Sequence, residues 1–345
     1  MAPRRSRPDR FGVRWSRIAP GRVLAGGRPC LARAGDWDGG GLRMKTPRVL
    51  IVGGTGLLGK ALLEATPEGW EVSATYHRNA PPADWRHQCY AMDVRDQAAV
   101  DALVVRVRPS VIVHAAAVGS VDEAERDPAR VGEVNVYGTQ AVGRACARWN
   151  ARFVFISSNA VFDGRCPPYD EEAPLHAVNR YGALKIEAER WIQQHGPSDA
   201  LIIRPILMYG WPPAGGRDNA VTRWLRQLEA GQTVEAAEDI YSMPLYAGNC
   251  AQTVWAAIQR GRSGTYHIAG ADRVSLVDFA RATARTFGLE ERLVVPVPSH
   301  RFAGLAPRPA DTSFVTAKME RELGVRPLGI AEGLAIMQRL RAAVL

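Results

Sequence analysis

The stretch RVLIVGGTGLLGKALLEA, residues 48–65, decides the fold of this chain. Its first part, Val49–Val52, is an uninterrupted apolar run that predicts a buried strand. Gly53, Gly56 and Gly59 follow at three-residue spacing, and apolar residues then recur at helical spacing. A glycine-rich turn between a strand and a helix lets backbone amides approach a pyrophosphate at the positive end of the helix. We therefore predict that this stretch opens a dinucleotide-binding βαβ unit.

Short apolar runs alternate with longer helical patterns over the rest of the chain, as in βαβ units that build a parallel sheet. The predicted strands are Arg48–Val52, Glu71–Tyr76, Val111–Ala115, Arg152–Ser157 and Leu201–Arg204. The predicted helices are Leu57–Ala65, Gln97–Val107, Val131–Asn150 and Tyr181–Gln194. The fold class is α/β, a Rossmann-like doubly wound parallel sheet with a smaller mixed α/β C-terminal substrate region. We assign residues 44–205 to the NAD(P)-binding Rossmann domain and residues 206–345 mainly to the substrate-binding region.

Composition and charge exclude two classes of partner. The 345 residues are 46% hydrophobic and 23% charged, as in a globular enzyme, and no apolar run approaches the ~18 residues of a membrane span. The net charge of +9 comes mostly from residues 1–43, which hold ten arginines and three aspartates. The remaining chain is nearly neutral and lacks a basic stripe with interleaved aromatic residues, so we expect neither nucleic-acid nor membrane binding.

Residues 1–43 are rich in arginine, proline and glycine, with no helical or strand period and no apolar segment typical of a secretory signal. We expect a disordered basic tail. Two alternatives stay open: a basic interaction arm, and a start of translation at Met44, directly before the first strand.

The cysteines and histidines indicate a cytoplasmic protein without a bound metal ion. The five cysteines are odd in number and contain no Cys-x-x-Cys pair, which is the pattern of reduced thiols. The seven histidines include no closely spaced pair, and we therefore expect no metal site formed by protein ligands.

The end of the second predicted strand bears on the choice of cofactor. An NAD site usually has an acidic residue here to bind the ribose 2′-hydroxyl, and this chain has none. Arg78, together with His77, could instead bind a 2′-phosphate, so we predict NADP(H), with NAD(H) as the alternative. A solvated arginine after a strand is an equally simple interpretation. Asp93 and Val94 are predicted beside the adenine, and the alanines after the third strand leave room for the cofactor. The predicted cofactor contacts are Gly53, Thr55, Gly56, Leu57, Leu58, Gly59, His77, Arg78, Asp93, Val94, Ala115, Ala116, Ala117, Asn135, Tyr181, Lys185 and Ile206.

Tyr181 and Lys185 lie four residues apart in a predicted helix, and therefore on one face of it. An ammonium one turn away from a phenol is expected to lower the pKa of the phenol from ~10 and make it a usable acid–base group. Such a pair is often a simple surface pair, but only four lysines occur in the whole chain. Ser158 follows a predicted strand at the edge where ligands bind in open α/β sheets. We predict Ser158, Tyr181 and Lys185 as the catalytic residues.

These motifs together resemble the extended short-chain dehydrogenase/reductases. Within that class, the stretches Val161–Gly164, Pro168–Glu172, Asp239–Pro244 and Arg308–Lys318 resemble the dTDP-4-dehydrorhamnose reductase group, which also includes the regulatory β subunit of methionine adenosyltransferase. The resemblance covers roughly residues 48–340.

The resemblance implies a role for each matching residue. It implies Tyr181 as the proton donor, Lys185 as its pKa partner and ribose ligand, and Ser158 as the hydroxyl that binds the substrate carbonyl. Asn135 matches an asparagine near the cofactor. Arg308 and Pro309 match a pair associated with the sugar nucleotide, and with Ser158 and Asn159 they form the predicted substrate-binding set.

The chain departs from the reductase pattern at several positions. Asn159 and Ala160 replace an Asp-Tyr pair, Asp311 and Thr312 replace an Asn-Ser pair, and a frequent tryptophan is missing after Arg204. These changes leave the exact sugar open.

The resemblance implies NADPH-dependent reduction of a 4-keto nucleotide sugar. A homodimer is compatible with the sequence. The alternatives are a non-catalytic NADP-binding regulatory subunit and an epimerase or dehydratase of the same fold. A dehydratase usually has an additional acid–base pair next to the Ser158 position, which Asn159 and Ala160 do not supply.

Overall fold

The alternating apolar runs form one seven-stranded parallel sheet in the computed structural model, which describes residues 46–82, 85–302 and 306–344. Its strand order is β3-β2-β1-β4-β5-β6-β11, and every neighbouring pair is parallel. Short strands of two or four residues lie outside this sheet. They pair as β7 with β10, β9 with β12 and β8 with β13. The strands are β1 Arg48–Val52, β2 Glu71–Tyr76, β3 Gln88–Ala91, β4 Val111–His114, β5 Arg152–Ile156, β6 Leu201–Pro205, β7 Met208–Tyr209, β8 Val234–Ala237, β9 Tyr241–Ser242, β10 Leu245–Tyr246, β11 Gly264–Ile268, β12 Val274–Ser275 and β13 Val294–Val297.

Helices cover both faces of this sheet. The helices are α1 Leu57–Glu64, α2 Gln97–Val107, α3 Val121–Arg126, α4 Pro128–Gly132, α5 Gly138–Trp149, α6 Arg180–His195, α7 Ala220–Glu229, α8 Ala247–Gln259, α9 Leu276–Thr286, α10 Ala317–Leu323 and α11 Ile330–Val344. Side chains of β1 alternate between the faces: Leu50 joins the core under α2, α5 and α6, and Ile51 joins the core under α1, α8 and α10. The sheet is therefore doubly wound, as predicted.

The predicted elements agree closely with the observed ones. The bounds of β1, β2 and α2 are as predicted, and the other predicted strands differ by one residue. Two strands of the sheet, β3 and β11, were not predicted, because β3 is half exposed and β11 mixes polar with apolar residues. The predicted tail, residues 1–43, and Met44 lie outside the described residues.

The predicted helix over residues 131–150 is divided in the structure. A π-helical turn, Glu133–Tyr137, lies between α4 and α5. Asn135 in this turn is 1% exposed. Its side-chain oxygen accepts from the backbone amide of Val118, and its side-chain nitrogen donates to the carbonyl oxygen of Val118. The widened turn thus coincides with the residue that anchors the loop after β4.

A second, smaller core lies in the C-terminal part of the chain, where α7, α9 and α11 pack around Trp224, Phe279 and Leu334. Residues after 205 also return to the main sheet through β11 and α8. The ammonium of Lys60 on α1 donates to the carbonyl oxygen of Trp211 over 3.1 Å, which ties the two regions together near the glycine turn. None of the described helices has the length and apolar character needed to cross a membrane.

Candidate active site

The predicted site residues gather at the carboxyl edge of the sheet. The glycine turn follows β1, the alanines follow β4, and Ser158 follows β5, and these three strands are neighbours. In open α/β sheets ligands bind along this edge, where the order of strands reverses. The reversal here falls between β1 and β4.

The glycine turn is packed so closely that larger residues cannot replace Gly53 or Gly59. Gly53 has φ +93°, and a Cβ atom on it would lie 2.6 Å from the amide nitrogen of Ala116. A Cβ atom on Gly59 would lie 2.2 Å from the carbonyl oxygen of Gly53. Gly56, at the start of α1, provides no side-chain cap, and the first turn of α1 carries no acidic residue. The first amides of α1 are therefore left for an anion such as a pyrophosphate.

Three polar groups meet at the outer end of the cofactor edge. The carboxylate of Asp93 accepts from the guanidinium of Arg95 over 2.7 Å, and this hydrogen bond holds the pKa of Asp93 at about 2. Nε2 of His77 lies 3.5 Å from the same carboxylate. Arg78 is exposed next to them and makes no ion pair with any residue the structure describes. The structure thus brings His77 and Asp93 together and leaves the charge of Arg78 available to a ligand.

Two further residues that were predicted to contact the cofactor, Asn135 and Ile206, are buried. The side-chain amide of Asn135 exchanges two hydrogen bonds with the backbone of Val118, directly after the Ala115–Ala117 segment. Ile206 is 2% exposed and belongs to the main core. For these two residues the contact with the cofactor stays a prediction.

The predicted catalytic residues lie close together. The hydroxyl of Ser158 lies beside the phenol of Tyr181 and lowers its pKa, and this hydroxyl accepts from the amide of Ala160 over 3.1 Å. Lys185 lies one turn after Tyr181 on α6, with Nζ 5.9 Å from the centroid of the Tyr181 ring. Its ammonium donates to the carbonyl oxygen of Ile156 over 2.9 Å. Residues from β5 and α6 thus form one polar cluster.

The expectation that Lys185 lowers the pKa of Tyr181 is wrong for the unliganded chain. Burial raises the pKa of Tyr181 to about 12, against the opposite effects of the Ser158 hydrogen bond and of Arg217. Desolvation disfavours the phenolate more than the neighbouring groups stabilise it. Tyr181 is therefore a protonated group at neutral pH, ready to donate.

Burial acts on the ammonium in the opposite direction. Lys185 is 2% exposed, and burial lowers its pKa to about 8, although the carboxylate of Glu189 raises it. His114 at the end of β4 faces this ammonium, and burial lowers the pKa of His114 to about 3, with Lys185 adding to the effect. Lys185 is thus the cationic member of this part of the site.

The predicted substrate residues close the cleft from the C-terminal side. The amide of Asn159 donates to the hydroxyl of Thr312 over 2.6 Å. Arg308 bonds the carboxylate of Asp122 on α3 over 2.9 Å, and Pro309 packs against Gly164. Asp122 also accepts from the amide of Ala306 over 2.9 Å. The Arg-Pro loop therefore joins the C-terminal region to the sheet domain.

The sequence analysis missed two arginines of this cleft. Arg217 lies near the phenol of Tyr181 and lowers its pKa. Burial lowers the pKa of Arg223, and the positive charges of Arg217 and Arg308 lower it further. Arg217 thus lies near Tyr181, and Arg223 and Arg308 lie near Arg217 or near each other. No local pattern marks Arg217 or Arg223, because they approach the site only through the packing of α7. Among the described residues no group of three metal-ligating side chains occurs.

Comparison with known proteins agrees with this geometry. The family model described as RmlD substrate binding domain matches residues 47–340. A dTDP-4-keto-6-deoxy-D-glucose reductase from Streptomyces niveus is 32% identical, with 82% of this chain and 93% of the relative covered. A dTDP-4-dehydrorhamnose reductase from Mycolicibacterium smegmatis is 30% identical, with 83% of each chain covered.

Two further proteins are similar to this chain, one in structure and one in sequence. The crystal structure of a Bacillus anthracis dTDP-4-dehydrorhamnose reductase in complex with NADP has a TM-score of 0.75 and 26% identity, covering 85% of this chain and 98% of that one. Methionine adenosyltransferase 2 subunit beta from Xenopus laevis is 30% identical, with 79% of this chain and 82% of that one covered. The chain belongs to the RmlD substrate-binding family of extended short-chain dehydrogenase/reductases.

Proposed function

We propose that this chain is an NADPH-dependent reductase that acts on the 4-keto group of a dTDP-linked 6-deoxy sugar. The observation that carries the proposal is that Ser158 and the protonated phenol of Tyr181 lie close together at the same edge of the sheet as the glycine turn. This pair offers an acid and a hydroxyl to a single carbonyl oxygen. The two reductases among the relatives support the assignment of the substrate class.

The cofactor would bind along the glycine turn. The uncapped start of α1 fits its pyrophosphate, and the exposed Arg78 beside His77 fits a 2′-phosphate. Lys185 would bind the ribose. The Bacillus anthracis structure, which contains NADP, supports this choice over NAD(H). When bound, the reduced nicotinamide supplies the hydride for the carbonyl carbon.

Tyr181 gives its proton to the carbonyl oxygen as negative charge develops there. A pKa of about 12 keeps the phenol protonated until that moment, and the Ser158 hydroxyl and the positive charge of Arg217 favour the phenolate that remains. Ser158 holds the carbonyl oxygen and polarises it. Together these residues supply both the proton and the orientation for reduction.

The nucleotide part of the substrate carries a diphosphate, and the three arginines suit it. Arg217 and Arg223 at the start of α7 and Arg308 from the C-terminal region would share the negative charge between them. Arg308 would have to exchange its bond with Asp122 for the substrate. The cleft between the two regions is thus charged to receive a diphosphate next to Tyr181.

The second candidate is a non-catalytic regulatory subunit, which is favoured by the similarity to methionine adenosyltransferase 2 subunit beta. Against it stands the complete set of Ser158, Tyr181 and Lys185, which lie close together. An epimerase or dehydratase is less well supported, because Asn159 is occupied by Thr312 and Ala160 has no titratable group.

We also propose a working arrangement for the whole chain. Residues 44–205 would bind the cofactor, residues 206–345 mainly the substrate, and residues 1–43 would be dispensable. The protein would act in the cytoplasm, as a monomer or a homodimer, and without nucleic acid. The cysteine pattern supports the location, and the nearly neutral charge after residue 43 supports the absence of nucleic acid.

The test is a panel of nucleotide-linked 4-keto sugars incubated with NADPH and the full-length chain. The proposal expects NADPH oxidation with a dTDP-linked 4-keto-6-deoxy sugar and the corresponding 4-hydroxy product. NADPH binding without oxidation, together with binding to a methionine adenosyltransferase catalytic subunit, would instead support the regulatory subunit.

A further inference from the structure

A third polar residue lies on the face of α6 that carries Tyr181 and Lys185. Glu189 follows Lys185 by four residues, so the three side chains are stacked one turn apart. Glu189 is 0% exposed, whereas Glu187 on the same helix is exposed. A carboxylate is buried in this way only when ionic and hydrogen-bond partners compensate its lost hydration.

The partners of Glu189 come from β5 and β6. The hydroxyl of Ser157 donates to Oε1 of Glu189. The guanidinium of Arg204 binds both carboxylate oxygens, with Nε 3.0 Å from Oε1 and Nη2 2.6 Å from Oε2. The side chain of Arg204 is only 3% exposed. The charge of Glu189 is therefore balanced entirely inside the protein.

A buried histidine extends the network to the loop after β5. Nδ1 of His267 lies 3.1 Å from the carbonyl oxygen of Tyr169, and Nε2 lies 3.2 Å from Nη1 of Arg204. Because a carbonyl only accepts and a guanidinium only donates, Nδ1 carries the proton and Nε2 accepts. Burial, with the charge of Arg204, lowers the pKa of His267 to about 3, and the ring is therefore neutral. The position of Arg204 is thus fixed from two sides.

Two hydrogen bonds join the end of β5 to α6. The carbonyl of Ile156 accepts from Lys185, and the hydroxyl of the next residue, Ser157, donates to Glu189. Ser158 follows and lies beside Tyr181. A shift of the helix along the strand would break both hydrogen bonds at once.

The groups around Lys185 leave Glu189 as its principal charged neighbour. Tyr181 on α6 is protonated, His114 on β4 is neutral, and Phe155 on β5 places its ring 4.8 Å from Nζ. Arg204 on β6 faces Lys185 across Glu189 and is paired with that carboxylate. Glu189 is thus the group that favours the charged form of Lys185.

We propose that Glu189 is a positioning residue: held by Arg204 and Ser157, it fixes the register of α6 on β5 and keeps Lys185 as an ammonium. This inference rests on the proposed roles of Ser158, Tyr181 and Lys185 in the reductase. The carboxylate does not touch the reacting atoms, and its effect passes through Lys185 and Ser157.

The test is the titration of Lys185 in full-length protein labelled with carbon-13 at lysine Cε. The chain has only four lysines, so the signal can be assigned with a Lys185→Met variant. Glu189→Gln keeps the shape of the side chain and removes its charge. We expect the midpoint of the Lys185 titration to fall by about one pH unit or more relative to the wild type. Glu187→Gln, exposed on the same helix, is the matched control and should leave the midpoint unchanged.

A midpoint that does not move in Glu189→Gln overturns the proposal. This measurement needs neither cofactor nor turnover, and it therefore stands even if the protein reduces no nucleotide sugar. If Glu189→Gln fails to fold, Ser157→Ala removes one contact of the register without changing any charge. We then expect kcat to fall about tenfold with KM for the sugar nearly unchanged, as for the loss of a hydrogen bond to a charged group. Unchanged kcat in Ser157→Ala, with an active wild type, likewise overturns it.

Discussion

The amide of Asn159 donates to the hydroxyl of Thr312 over 2.6 Å and so joins the end of β5 to the loop before α10. Both residues stand where the reductase pattern has other side chains. Thr312 is 5% exposed, and the bond therefore forms in a nearly dry position next to Ser158. The two departures from the pattern are thus in direct contact, and they form a hydrogen bond with each other.

Removing the hydroxyl of Thr312 tests whether this pair shapes the substrate cleft. In Thr312→Val the Asn159 amide loses its acceptor, at a cost of about 1–3 kcal/mol for a polar group left unpaired. We expect the side chain of Asn159 to become more mobile and KM for the sugar nucleotide to rise severalfold, with NADPH affinity unchanged. The measurement is steady-state kinetics with Thr316→Val as control, since the hydroxyl of Thr316 bonds Glu320 outside the cleft. Equal KM values in wild type and Thr312→Val would show that Thr312 does not affect substrate binding.

Arg78 should distinguish the two nicotinamide cofactors. Its guanidinium is exposed at the end of β2 without an ion-pair partner among the described residues, and it is free to bind a 2′-phosphate. Arg78→Ala should weaken NADPH binding by about 1–3 kcal/mol and leave NADH binding almost unchanged. Fluorescence titration with both cofactors measures this, and Arg285→Ala on α9 serves as control. An equal loss for both cofactors would mean that Arg78 does not bind the 2′-phosphate.

Arg308 should contribute to binding of the sugar nucleotide and not of the cofactor. A charged hydrogen bond to phosphate contributes about 1.5–3 kcal/mol, so Arg308→Ala should raise KM for the substrate at least tenfold. Asp122→Asn should lower KM for the substrate, because Arg308 then gives up its bond to residue 122 more easily. The comparison of KM in the two variants, at constant ionic strength, measures both effects. Parallel changes in the two variants would indicate that the Asp122–Arg308 bond acts only in stability.

Two buried histidines should make the fold sensitive to acid. Burial lowers the pKa of His114 and of His267 from 6.5 to about 3. Between these values the unfolded chain binds protons that the folded chain does not, so the stability is complete above pH 6.5 and falls as the pH falls toward 3. Each histidine should contribute a loss of about 2 kcal/mol in the free energy of unfolding between pH 7 and pH 5. Denaturant unfolding at both pH values measures it.

The variant His114→Gln should reduce that loss by the share of one histidine. His195→Gln changes an exposed histidine on α6 and should behave as the wild type. A loss of stability in His114→Gln that equals that of the wild type would show that His114 is protonated in the folded state.

The sequence was sufficient to predict most of the sheet and the placement of Tyr181 and Lys185 on one helix, but not the surroundings of that pair. Strands such as β1 are buried on both faces, and their apolar runs are unmistakable, whereas β3 and β11 have mixed burial and no clear period. Tyr181 and Lys185 are four residues apart on one helix, and such spacing is visible in the sequence.

Contacts between distant segments could not be predicted in the same way. Arg217 and Asp122 reach the site only through the packing of the two regions, and Glu189 is recognisable only by its burial. The direction of the pKa of Tyr181 was predicted wrongly for the same reason, because desolvation depends on the whole fold.

The central claim is that Tyr181 protonates the carbonyl of a nucleotide-linked 4-keto sugar, and its most direct test is NADPH oxidation by the wild type and by Tyr181→Phe. The wild type should oxidise NADPH in the presence of a dTDP-linked 4-keto-6-deoxy sugar. Because the phenol acts mainly in the transition state, Tyr181→Phe should lower kcat by at least about a hundredfold, with KM and NADPH affinity little changed. Near wild-type turnover in Tyr181→Phe, or a wild type that binds NADPH and reduces no such sugar, would contradict the account.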